Sequence, residues 1–98
     1  MNKENIYKQA IDEWGIELQL GMMIEECSEL TRAIIRFWRY PKELGNLIEE
    51  IADVKIMIRQ MEEICGKEQI DGAVKAKLKR LKGRLKKGQL NQSNPNER

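Results

Sequence analysis

From Ile16 to Cys65 the apolar residues recur every third or fourth position, and a single proline, Pro41, interrupts them. That spacing is the period of an amphipathic helix. The residue before a proline avoids the helical region, so a long helix from Ile16 must stop at about Arg39. A second long helix starts near Lys42 or Glu43 and runs to about Cys65, where Gly66 supplies a C-terminal cap. The Tyr40-Pro41 connection is short, and short connections between long helices make them antiparallel neighbours. The pattern therefore predicts a helical hairpin.

Two shorter segments flank it. A helix over about Asn2 to Glu13 carries Ile6, Tyr7, Ala10 and Ile11 on one side and breaks at Trp14-Gly15. A last helix, with Asp71 as its N-cap, runs to about Lys87 before Gly88. The expected architecture is all-α, one domain over residues 1–88. Residues 89–98, almost all Asn, Gln, Ser and Pro with little to bury, read as a disordered tail. A chain of 98 residues buries roughly 60–65% of its unfolded surface, and domains this small commonly oligomerise. One hairpin cannot cover both sides of its own seam, and Ile35 and Ile56 point away from the seam. A homodimer or a tetramer (a dimer of dimers) is expected, with a core like a four-helix bundle.

The N-terminus is polar, with no signal-peptide run, and no stretch approaches the ~20 apolar residues of a membrane helix. Cys27 and Cys65 form no CxxC pair and read as two buried free thiols. A cytoplasmic protein with no membrane partner is expected.

There is no histidine in the chain. This excludes Ser-His-Asp and Cys-His catalysis, Glu-x-x-His di-iron sites, HExxH zinc sites and Cys2His2 fingers. Chemistry is left to carboxylates, to bases of high pKa, or to a metal held by oxygen.

The carboxylates are unusually placed. With successive residues about 100° apart around a helix, Met22, Met23, Leu30, Ala33, Ile34 and Phe37 form one apolar arc. Glu26 falls inside it, and Glu29 at its edge. On the next helix Leu44, Leu47, Ile51, Val54, Met57, Ile58 and Met61 form the arc. Glu50 falls inside that one, and Asp53 at its edge. Each helix thus carries an acidic pair at i, i+3, a spacing at which side chains are surface neighbours. Glu29 lies roughly 15 Å before the turn and Glu50 roughly 12 Å after it, so antiparallel packing brings the pairs to similar levels. Four anions meeting at a seam need protons, basic partners or a divalent cation. Oxygen ligands alone suit Mg2+, Mn2+ or Ca2+, and Mg2+ typically shares its shell with substrate phosphates.

The strings Ile24-Glu25-Glu26-Cys27-Ser28-Glu29-Leu30 and Glu49-Glu50-Ile51-Ala52-Asp53-Val54 together resemble the ExxE…ExxD signature of the MazG-like nucleoside triphosphate pyrophosphohydrolases. Glu13-Trp14-Gly15 followed by Gln19 is similar to the short phage-type and firmicute members. The resemblance spans about Glu13 to Leu85. It implies an all-α fold acting as a dimer or a dimer of dimers. The implied reaction is Mg2+-dependent hydrolysis of an NTP or dNTP between the α and β phosphorus atoms, giving monophosphate and pyrophosphate. By position it assigns Glu26, Glu29, Glu50 and Asp53 as metal ligands. Glu25 and Glu49 also sit in the motifs, but turn away from the apolar arcs and rank second, as support or as water ligands. With no histidine present, Glu26 or Glu29 is the candidate to accept the proton of the attacking water.

Charge is unevenly spread. Residues 1–65 hold eight Lys and Arg against thirteen Asp and Glu, and residues 66–98 hold ten against three. The last helix has an apolar stripe, Val74, Leu78, Leu81 and Leu85, among many cations. Lys75, Lys79 and Arg80 are its candidates for phosphate contact, and a solvated basic face is the plainer alternative. Trp14, Trp38 and Gln19 are candidate contacts for a base or sugar, with core packing the default for the two tryptophans and a capped or partly buried amide the default for Gln19. A different class of function is a non-catalytic helical interaction module whose basic last helix binds nucleic acid or a protein partner. The low total charge and the lack of aromatics among the cations argue against nucleic acid.

Overall fold

The computed structural model describes residues 5–91. Every element among them is helical: α1 (Ile6–Trp14), α2 (Ile16–Arg39), a one-turn 3-10 helix (Pro41–Glu43), α3 (Leu44–Cys65) and α4 (Lys67–Asn91). The chain divides into two compact units, Met1–Gly66 and Lys67–Arg98.

The boundaries in the first unit have local causes. Asn5 caps α1, its side-chain oxygen accepting from the backbone N–H of Tyr7 and of Lys8 at 3.1 Å each. Gly15 ends α1 at φ 90°, a left-handed conformation that glycine adopts without strain, and its N–H donates to Ile11 O. Tyr40 closes α2 by donating to Arg36 O at 2.7 Å, and Pro41 opens the 3-10 turn. Gly66 ends α3 as the sequence suggested, at φ 101°.

α2 and α3 pack as the expected hairpin, and α1 lies against both. The α1–α3 contact is partly polar. Asn5 Nδ2 donates to Glu63 Oε2 at 2.8 Å, and the Arg59 guanidinium sits 4.8 Å from the centre of the Tyr7 ring. Among the described residues the buried apolar side chains are only Ala33, Val54 and Met57. Gln19 and Gln60 are buried beside them, Gln19 Nε2 donating to Gln60 Oε1 at 2.6 Å. The buried stripe is thus narrower than the apolar arcs: Ile34, Leu44, Ile51 and Ile58 stay exposed. Two helices alone bury one line of side chains and leave its flanks open. Ile35 and Ile56 are exposed as expected, and Trp38 is 82% exposed. Cys27 and Cys65 are free but exposed, which corrects the expectation of buried thiols. Cys27 follows Glu26 by one position, about 100° around the helix and away from the seam.

In the second unit, α4 begins directly after Gly66 rather than at a cap on Asp71. Asp71 lies inside the helix, its carboxylate accepting from Lys67 Nζ at 2.7 Å. The helix also passes through Gly88 to Asn91, beyond the expected end at Lys87. The rest of the expected tail, 92–98, lies outside the described residues, as do residues 2–4 of the expected first helix. Val74, Leu78, Leu81 and Leu85 are all exposed. Among the described residues no helix is long and apolar enough to cross a membrane.

Candidate functional site

Ala33 on α2 is the most deeply buried apolar residue of the hairpin unit, 1% exposed. Interhelical distance follows the size of the side chains at the contact, so a small residue there lets α2 and α3 approach. On α2 the two glutamates lie one and two turns before it. Glu26, Glu29 and, from α3, Glu50 each offer an oxygen, and these three oxygens lie within 4.8 Å of one another. Glu26 and Glu50 are half-buried. Oε1 of each is closed off from solvent without a hydrogen-bond partner. Buried polar atoms normally find one, so these two oxygens are exceptions among the described residues.

The electrostatics follow from this crowding. Burial raises the pKa of Glu26 above its ordinary 4.5, and Asp53, Glu29, Glu50 and Glu25 raise it further. Burial likewise raises Glu50, followed by the charges of Glu29, Asp53 and Glu49 and by a hydrogen bond to Glu29 that needs the proton. Desolvation and like charge both disfavour the anion. A proton or a cation would relieve the cluster, and oxygen donors of this kind match a hard divalent ion.

Of the four ligands expected from sequence, the structure brings three together. Asp53 is exposed and is not one of the three converging groups. It acts on them through its charge, the largest electrostatic influence on Glu26. Glu25 and Glu49 are exposed and act the same way, more weakly. Gln19 is buried and engaged with Gln60, while Trp14 and Trp38 are exposed. Lys75, Lys79 and Arg80 are exposed on α4, in the second unit.

Next to the carboxylates the hairpin forms a cleft of about 240 Å³ lined by Glu29, Arg32, Ala33, Arg36, Asn46 and Glu50. Arg32, Arg36 and Asn46 were not singled out from sequence. A signal existed: Glu29, Arg32, Ala33 and Arg36 stand at i, i+3, i+4 and i+7, on one helical face.

Comparison with protein-family models, with curated proteins and with solved structures found no match to this chain. Its function is therefore argued from the carboxylate cluster and from the pattern of its motifs.

Proposed function

We propose that the protein is a metal-dependent hydrolase of phosphoanhydrides. More narrowly, it is a MazG-like pyrophosphohydrolase that converts an NTP or dNTP to the monophosphate and pyrophosphate. One observation carries the reading: Glu26, Glu29 and Glu50 converge within 4.8 Å, with two sealed oxygens that lack partners. The donor set fits Mg2+, with Mn2+ as a substitute. Glu26, Glu29 and Glu50 would hold the ion, with Asp53 adding negative charge or reaching it by a change of rotamer. When bound, Mg2+ neutralises phosphate charge and makes water more acidic.

The chain's own residues supply the remainder. Glu26 and Glu29 would orient the attacking water, and positioning is most of what phosphoryl transfer asks of a protein. Glu26 or Glu29, on an oxygen not used for ligation, accepts the water proton. The water oxygen bonds to the α phosphorus, the bond from that phosphorus to the α–β bridging oxygen breaks, and pyrophosphate leaves with the electron pair. Burial and like charge raise the proton affinity of Glu26, the direction a proton acceptor needs.

Dimerisation belongs to the same reading. Ile24, Ile35, Trp38, Ile48 and Ile56 are exposed on the hairpin unit, and a second copy would cover such side chains.

The test is incubation with a panel of NTPs and dNTPs plus Mg2+ or Mn2+, with products separated chromatographically. Monophosphate and pyrophosphate in equal amounts are expected. Diphosphate and orthophosphate, or no turnover with either metal, would sink the proposal. The exposed apolar stripe and cations of α4 favour one second reading, a helical interaction module. A full-length chain that turns over no nucleotide yet shifts nucleic acid in a gel would support it.

A further inference from the structure

The cleft beside the carboxylates carries both signs of charge: Glu29, Arg32 and Arg36 line it from α2, and Asn46 and Glu50 line it from α3. Arg32 and Arg36 are one turn apart on α2, about 6 Å along the axis, so both guanidiniums serve the same groove. Asn46 faces them from α3 and adds an amide donor. Among the described residues neither arginine enters an ion pair, although two carboxylates line the same cleft. Uncommitted guanidiniums are well-matched donors for phosphate oxygens, which they grip through paired N–H groups.

Size narrows the ligand. The cleft, at about 240 Å³, falls below the roughly 300 Å³ at which pockets begin to enclose a drug-sized molecule. A short phosphate chain is small enough to lie within it.

We propose that Arg32, Arg36 and Asn46 form an anion seat that holds the pyrophosphate end of a polyphosphate ligand next to the carboxylate cluster. The inference rests on the proposed hydrolase reading for its biological ligand, but the seat itself can be tested without turnover. It places the phosphate grip on the hairpin, in contrast to the α4 candidates Lys75, Lys79 and Arg80.

The test is calorimetric titration of the full chain with inorganic pyrophosphate, with and without Mg2+, and separately with Mn2+ alone. Arg32→Gln/Arg36→Gln is compared with wild type and with Arg32→Lys/Arg36→Lys. Both positions are exposed, so the variants should keep the helical circular dichroism and melting of wild type. Each charge-assisted grip lost should weaken pyrophosphate about tenfold or more, so the double Gln variant should lose roughly a hundredfold. The Lys variant, which keeps charge but not the fork, should fall between, and Asn46→Ala should lose a smaller factor. Mn2+ binding without pyrophosphate should stay as tight or become tighter. Unchanged pyrophosphate affinity in the double Gln variant overturns the inference. So does wild type that takes up Mn2+ but no pyrophosphate, an outcome that leaves the hydrolase reading standing. Arginine-dependent pyrophosphate binding in a protein that takes up no Mn2+ supports the seat and removes the cation site.

Discussion

Glu26 on α2 and Glu50 on α3 face each other across the hairpin, each with an oxygen sealed from solvent and without a hydrogen-bond partner. Both carboxyls bind a proton more tightly than a carboxyl of ordinary pKa 4.5. The pair is therefore least comfortable with both carboxyls ionised and no cation beside them.

Stability should follow that proton. A carboxyl whose pKa is raised by folding stabilises the fold fully below its unfolded value and loses that contribution as pH rises through the folded value. With a chelator present, the thermal midpoint should fall as pH rises from about 4.5 toward neutrality. Glu50→Gln should flatten the decline, because it removes one charge from the cluster. Added Mg2+ should raise the midpoint more at higher pH, since protons and cation compete for the same oxygens. A metal-free midpoint that climbs over this window in wild type and variant alike would contradict the electrostatic reading.

Ala33 is a small residue buried on α2, and its size should matter more than its chemistry. Ala33→Leu should cost about 1–3 kcal/mol of stability by overpacking the seam. It should also spread the carboxylates and lower hydrolysis by a larger factor than Ala33→Gly. Denaturant unfolding and turnover, measured on the same samples, check both. A Leu variant with wild-type turnover would mean that the seam does not position the site.

The exposed isoleucines on the outer faces of the hairpin should be covered in solution. Sedimentation at micromolar concentration should give a dimer or a tetramer. Ile35→Glu/Ile56→Glu should shift the distribution toward monomer and lower the melting temperature. A wild-type chain that sediments as a monomer throughout would remove dimerisation from the proposal.

Much of this was legible because a helix repeats every 3.6 residues. Angular position alone put Glu26 and Glu50 into apolar arcs, and the structure buries one oxygen of each. Asp53 was harder to place. It sits at the edge of its arc, where the crossing of two real helices decides whether a side chain turns in or out. Asp71 is a good cap by type, but Gly66, at positive φ, ends α3 and α4 starts at Lys67 with no cap on Asp71. Arg32 and Arg36 were overlooked for a different reason. The density of cations on α4 drew attention to charge count, while the cleft depends on which face two isolated arginines share. The thin core was not readable either, since helical periodicity marks which residues are apolar and not how many a single hairpin can cover.

Direct titration with Mn2+ at neutral pH, followed by calorimetry, asks most simply whether Glu26, Glu29 and Glu50 hold a divalent cation. Saturable binding is expected in wild type. Glu50→Gln, which keeps the shape but removes a ligand charge, should weaken it by more than the roughly 10- to 100-fold typical of losing a supporting group around a metal. Saturable binding of equal strength in wild type and Glu50→Gln, or no binding in wild type, would contradict the proposed site.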